Sequence, residues 1–131
     1  MLWQNLPLRR YCSDKHSKLF ENLNIEEGFP TAEEALGKLA SGLKSAKARG
    51  VVFVKVIHGW GSTGRGGKIK KAVKAQLPDW GKNGLLREWV LGTDWNVTYP
   101  TYLQWYARYP EIQNDRDLNR GNAGITVIKI R

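Results

Sequence analysis

The chain has 131 residues, which is enough for one domain with a single hydrophobic core. Its 21 Lys and Arg residues outnumber its 12 Asp and Glu residues, so the net charge is +9. One cysteine excludes an internal disulfide, and no apolar run approaches the length of a signal-peptide core or a bilayer span, so we expect a cytoplasmic protein without a membrane contact.

The N-terminal region shows neither a helical nor a strand period. Residues 1–17 are predicted to form a loosely ordered arm, and residues 18–131 to form the domain. The stretch from Leu19 to Glu26 alternates weakly between apolar and polar residues, and it is predicted to be the first strand.

The first predicted helix has clear start and stop signals. Thr31 and Glu34 have the spacing of a capping box, and Gly50 follows the last turn. Two internal glycines, Gly37 and Gly42, weaken the helix, so it depends on packing, while small residues allow it to approach the sheet closely. Its apolar face consists of Ala35, Leu36, Leu39, Leu43 and Ala46.

The stretch from Val51 to Leu77 is the functional centre of the sequence. Residues 51–57 are six β-favouring apolar residues interrupted by Lys55, which predicts a central strand buried on both faces. Residues 68–77 have the pattern of a short amphipathic helix with a basic outer side. Five glycines occur in the ten residues between them. A strand, a glycine turn and a helix N-terminus together favour phosphate binding.

A strand, a helix and a second strand in about forty residues predict a βαβ unit with parallel strands and a right-handed crossover. The C-terminal ends of the two strands, near residues 26–28 and 58–59, should then lie at one edge of the sheet. Ligands of open α/β sheets bind at that edge.

The remaining third of the chain is predicted from shorter patterns. The segment PDWGKNG after Leu77 predicts a turn that ends the helix. A strand is predicted over residues 85–91, a helix over 99–108 with Leu103 and Tyr106 facing the body, a loop over 115–122 and a closing strand over 124–131. We therefore predict a two-layer α/β sandwich with a mixed βαβαβ-type sheet and a parallel βαβ core.

The positive charge is concentrated around the glycine turn. Residues 50–90 carry six of the nine surplus charges. This favours a polyanionic partner, nucleic acid first, with Lys70, Lys71 and Lys74 as phosphate contacts that do not read sequence. The alternative is a solvated, lysine-rich helix face that serves solubility.

Three stretches together resemble the Smr domain, the small MutS-related family. Residues 56–62 (VIHGWGS) followed by 66–70 (GGKIK) look like the family's HGxGxG loop and helix start. Residues 121–128 (GNAGITVI) are similar to its closing glycine-rich turn and strand. Residues 23–28 (LNIEEG) stand where the family carries LDLHG.

The resemblance implies a fold similar to the C-terminal domain of translation initiation factor three, binding of DNA or RNA, and in several members cleavage of nucleic acid or work on ribosomes. The first motif departs from the family: Asn24 replaces the usual Asp, Glu26 replaces the usual His, and Glu27 is an extra residue. The segment 79–120 is longer than in a minimal domain and is expected to add a surface rich in Trp and Tyr.

His58 is the candidate catalytic residue. Parallel strands would bring Glu26 or Glu27 close to it, which gives an acid–base pair for phosphodiester cleavage without a metal. Lys68 or Arg65 would then stabilise the phosphate charge. The alternative is that His58 hydrogen-bonds the glycine loop and holds its shape.

Two functions stay open at this point: an endonuclease, and a non-catalytic RNA- or ribosome-binding module. The sequence does not choose between RNA and DNA, and it leaves the oligomeric state open. Trp60 either stacks on an unpaired base or folds over the loop. The predicted nucleic-acid contacts are Gly59, Trp60, Gly61, Ser62, Arg65, Lys68, Lys70, Lys71 and Lys74.

We expect neither a metal nor an organic cofactor. Two histidines and one thiol offer no zinc site. A carboxylate-bound magnesium ion stays open as an alternative, although the sequence does not mark a site for it. Residues 59–64 match GxGxxG, but no acidic residue ends a predicted second strand about twenty positions later, so a nucleotide or dinucleotide binder is the weakest alternative.

Overall fold

The computed structural model describes residues 19–28, 30–59 and 65–131. The predicted arm, residues 1–17, lies outside the described residues. The strands are β1 (Phe20–Asn24), β2 (Phe53–Ile57), β3 (Glu88–Leu91) and β4 (Ile125–Lys129), and the helices are α1 (Ala32–Ala48), α2 (Arg65–Lys82) and α3 (Pro100–Arg108). Two short 3-10 helices cover Gly92–Asp94 and Pro110–Asn114.

The four strands form one mixed sheet in the order β1-β2-β4-β3. β1 and β2 are parallel, and β4 runs antiparallel to both of its neighbours. Because Asn24 pairs with Ile57, the C-terminal ends of β1 and β2 lie at one edge, where β4 begins. The mixed sheet, its parallel βαβ core and the central position of β2 are therefore confirmed.

The start of α1 is fixed by the predicted capping box. The Thr31 hydroxyl accepts a hydrogen bond from the Glu34 amide (3.1 Å), and the Glu34 carboxylate accepts one from the Thr31 amide (2.8 Å). Amides at the start of a helix have no carbonyl partner within the helix, so such side-chain hydrogen bonds stabilise it. The buried side of α1 consists of Ala35, Leu39, Leu43 and Ala46.

The two glycines inside α1 provide a matched pair of substitutions. Around Gly37 there is open space, whereas a Cβ on Gly42 would overlap the side chain of Leu23. We expect Gly37→Ala to raise the free energy of unfolding by about 0.5–1 kcal/mol, because alanine restricts the unfolded chain and favours the helix. Gly42→Ala should raise the free energy of unfolding by less, since the side chain of Leu23 must move to make room for the new Cβ. Urea denaturation followed by circular dichroism measures both, and equal gains would contradict the close approach of α1 to β1.

The predicted end of α2 at Leu77 is wrong, and of the turn predicted over PDWGKNG only Asn83 and Gly84 lie outside the helix. The helix begins at Arg65 and ends at Lys82, with Pro78 in its interior. Proline removes one helical hydrogen bond and costs about 3 kcal/mol. Leu77 is fully buried and Trp80 packs against the core, and burying large apolar side chains is worth about 1.5–3 kcal/mol each, which offsets that cost.

One face of the sheet is covered by α1 and α2. Their buried side chains form one apolar cluster with Val54 and Val56 of β2 and Ile128 of β4. From α2 the cluster takes Ile69, Val73 and Leu77, the fourfold spacing that predicts its inner face. The two-layer α/β arrangement is confirmed by this packing of two helices on one mixed sheet.

The opposite face of the sheet is covered by the segment that connects β3 to β4. Trp95, Tyr102 and Trp105 are at most 2% exposed and pack on Phe53 and Val127, so these three aromatic rings belong to the core and not to a surface. The predicted orientation of α3 is wrong as well. Its exposed side carries Leu103 (49% exposed) and Tyr106 (38% exposed).

A buried ionic cluster joins this covering segment to the sheet. The Lys55 ammonium group, on the same face of β2 as Phe53, donates hydrogen bonds to Asp115 Oδ1 (2.9 Å) and Asp117 Oδ2 (2.5 Å). Trp95 Nε1 donates to the other Asp115 oxygen (2.9 Å). The lysine that interrupts the apolar run of β2 is therefore an anchor for the loop over residues 115–122, which is irregular as predicted.

Candidate functional site

The candidate site lies at the edge of the sheet where β2 ends and β4 begins. The amides of His58 and Gly59 both donate hydrogen bonds to the Gly124 carbonyl, at 3.0 and 3.1 Å. The end of β2 and the glycine-rich turn before β4, more than sixty residues apart in the chain, are thus held together by backbone hydrogen bonds. Two of the three sequence stretches that point to function meet here.

The His58 side chain is only 1% exposed, and both of its ring nitrogens have partners. Nδ1 lies 3.0 Å from the Gly59 carbonyl oxygen, which can only accept, so Nδ1 carries the proton. Nε2 then accepts a hydrogen bond from the Thr126 hydroxyl at 2.9 Å. Burial lowers the pKa of His58 below its ordinary value, and the nearby charge of Lys70 lowers it further. This geometry favours the loop-holding role for the histidine.

The turn after β1 places one of the two glutamates beside the glycine motif. The Asn24 side-chain oxygen accepts hydrogen bonds from the amides of Glu26 (3.0 Å) and Glu27 (3.1 Å), which is an Asx turn. Gly59 has a φ of +82°, and a Cβ on it would overlap the Glu26 carboxylate. The parallel strands thus bring Glu26 next to Gly59, whereas Glu27 is exposed.

The first half of α2 presents four lysines at this edge. Lys68, Lys71 and Lys74 are exposed and Lys70 is half-buried. With Thr93 and Thr126, two of these lysines, Lys70 and Lys74, line a small cavity of about 50 Å³ between α2 and the start of β4. Because Lys70 also shifts the pKa of His58, the basic helix lies close to the histidine.

Part of the predicted contact surface lies outside the described residues. This applies to Trp60, Gly61 and Ser62, and to the side chain of Arg65, although Arg65 begins α2. Base stacking on Trp60 therefore stays a prediction.

Two polar residues that shape the site are missing from the sequence predictions. Thr126 is fully buried and holds the His58 ring, and Asn24 shapes the turn that carries Glu26. The signal for Thr126 is a polar residue inside the apolar pattern of residues 125–130. Asn24 stands where the family has Asp, yet an asparagine oxygen accepts the same backbone hydrogen bonds.

No three His, Cys, Asp or Glu residues come together as metal ligands within the described residues. No helix in the described ranges has the length and apolar character needed to span a membrane.

Comparison with known families identifies one match. The family model described as the Smr domain matches residues 28–90, from the turn after β1 to β3. It includes α1, β2, the glycine turn and α2, and it leaves out residues 23–27, which contain the alterations of the first motif, and β4. No curated protein and no solved structure gives a significant match.

Proposed function

Residues 28–90 of this chain are a Smr domain, and from that premise we propose that the chain is a nucleic-acid-binding module whose contact surface is the first half of α2. Smr domains generally bind nucleic acid. We place the contact at Lys68, Lys70, Lys71 and Lys74, beside the glycine turn, and call these four residues the lysine surface.

The observation that carries the proposal is the unpaired state of these four cations. Among the described residues none of the four forms a salt bridge, and α2 has no acidic residue before Asp79. The positive end of the helix dipole adds to their field. A phosphate backbone that meets such a surface releases counterions, which supplies affinity without base readout.

Binding without cleavage is the better-supported form of this function. A general base must reach the proton that it removes, and His58 is buried with both nitrogens hydrogen-bonded. Its lowered pKa also keeps the ring neutral, so it is a poor proton donor at neutral pH. Cleavage is the second candidate because the Glu26 carboxylate lies against Gly59 at the same edge.

Substituting Glu26 separates the two candidates. For a binding module, Glu26→Gln should tighten binding about 3- to 10-fold at low salt, because it removes a negative charge beside the glycine turn. For an endonuclease in which Glu26 moves a proton, the same change should abolish cleavage. Fluorescence anisotropy with labelled RNA and DNA measures the first, and gel analysis of end-labelled strands with and without EDTA measures the second.

Glu27→Gln is the matched control, since it removes the same charge from the next, exposed residue. We expect it to change affinity less than Glu26→Gln does. Strand cleavage by the unmodified protein that disappears in both Glu26→Gln and His58→Ala would overturn the non-catalytic function. Absence of binding to every RNA and DNA at low salt would overturn the proposal as a whole.

A further inference from the structure

A second cationic groove lies at the opposite end of the sheet, between the C-terminal halves of α1 and α2. It is a cavity of about 610 Å³ lined by Lys44 and Lys47 of α1, by Trp80 of α2 and by Leu85. A neighbouring cavity of about 520 Å³ shares Lys47 and Gly84 with it and adds Arg87 and Arg131. We call the two cavities together the α1–α2 groove.

The charged side chains that line this groove are all positive. Neither cavity has an Asp or Glu among its described lining residues. Two cations have local partners: Lys47 Nζ donates to the Gly84 carbonyl (2.9 Å), and the Arg131 guanidinium donates to the Lys47 carbonyl (2.5 Å). Within the described ranges Lys44 and Arg87 have no side-chain hydrogen bond or salt bridge, so their charges are available to a ligand.

Trp80 gives the groove an aromatic surface. Its indole is half-buried, packs against the apolar cluster beneath α1 and α2, and lines the groove with the part that stays exposed. The unpaired Lys44 lines the same cavity as the ring, and the unpaired Arg87 lines the neighbouring one. This combination is suited to a single-stranded nucleic acid, because a base stacks on the ring while neighbouring phosphates meet the cations. Because no acidic side chain is among the described lining residues, the groove favours the same polyanion.

We propose that the α1–α2 groove is a second contact for single-stranded nucleic acid, with a base on Trp80 and phosphates on Lys44 and Arg87. The inference rests on the proposed function, since the same strand would also engage the lysine surface. Trp80 lies nine residues after Lys71, the middle of the lysine surface, so about 14 Å of the axis of α2 separates the two contacts. A strand of about 30 nucleotides can reach both contacts, whereas a short strand of about two nucleotides can occupy only one.

The test compares two lysines on the same helix. Lys44→Glu reverses a charge in the groove, and Lys38→Glu reverses an exposed charge on α1 that does not line it. Lys44→Glu is expected to weaken binding of the strand of about 30 nucleotides about 10-fold, and Lys38→Glu less than about 2-fold. The short strand, bound at the lysine surface, should bind both variants alike. A long strand carrying 5-iodouridine should photo-crosslink at Trp80.

Two results would contradict the groove as a binding site while leaving the lysine surface intact. One is that Lys44→Glu and Lys38→Glu bind the long strand with equal affinity. The other is that the photo-crosslink forms at residues other than Trp80. A groove that binds a polyglutamate peptide more tightly than the strand, with that binding lost in Lys44→Glu, would also overturn it and assign an acidic protein partner. Failure of the unmodified protein to bind either strand would remove the proposed function together with the groove.

Discussion

Replacing Lys55 with methionine should lower the free energy of unfolding by about 3–5 kcal/mol, because the buried carboxylates lose the cation that compensates their charge. The lysine side chain is 4% exposed and its partners Asp115 and Asp117 are 10% and 18% exposed. Without the ammonium group, the two carboxylates would face each other at the apolar face of β2. Urea denaturation followed by circular dichroism measures the loss.

The control removes the carboxylate charges as well. Lys55→Met combined with Asp115→Asn and Asp117→Asn should recover much of the lost stability, because no uncompensated charge is left and the amides retain part of the hydrogen bonding. Two results would contradict the anchoring role of the cluster. One is that Lys55→Met lowers the free energy of unfolding by less than about 1 kcal/mol. The other is that the triple variant is no more stable than Lys55→Met.

The pH dependence of stability gives a second measure of the same cluster. Burial opposes the charge of each partner, yet the hydrogen bonds between them prevail, raising the pKa of Lys55 and lowering the pKa of Asp117. The stability from Asp117 is therefore complete above its ordinary pKa of 3.8 and is lost as the pH falls through the lowered value. The stability from Lys55 is lost as the pH rises through the raised pKa of Lys55, which lies above its ordinary value of 10.5. The triple variant should lack both dependences.

The sequence predicts the elements whose local patterns agree with their tertiary packing. The capping box of α1 and the apolar run of β2 each lie in the element that they indicate. From them follow the parallel strands and the shared edge, which place Glu26 and His58 at one site. The end of α2 could not be predicted in this way, because Pro78 is a local stop signal, while the packing of Trp80 against the apolar cluster, which helps to offset it, depends on α1.

The second face of the sheet shows a different limit. α3 has nine residues, and two apolar pairs with the same spacing, Tyr102 with Trp105 and Leu103 with Tyr106, compete for its inner side. Periodicity over so short a helix does not choose between them, and the choice depends on how Trp95 and Phe53 fill the space beneath it. His58 is similar, because its burial depends on Thr126, 68 residues away.

Lys70→Glu combined with Lys74→Glu is expected to weaken nucleic-acid binding by on the order of 10- to 100-fold, and to do so for every sequence tested. Both lysines border the small cavity at the edge of the sheet, and neither pairs with an acid among the described residues. Each lost phosphate contact should also reduce the slope of log affinity against log salt by about one unit. Anisotropy titrations at several salt concentrations measure both quantities.

The matched control reverses two exposed charges elsewhere, Lys38→Glu on α1 with Arg108→Glu on α3, which changes the net charge equally. If the lysine surface binds phosphate through direct contacts, the control should lose less than about 3-fold in affinity and keep its salt slope. Equal losses in the two variants would mean that net charge alone attracts the polyanion. Since the long-range field is screened within about 10 Å at 0.1 M salt, a difference that persists at that salt assigns the contact to α2 itself.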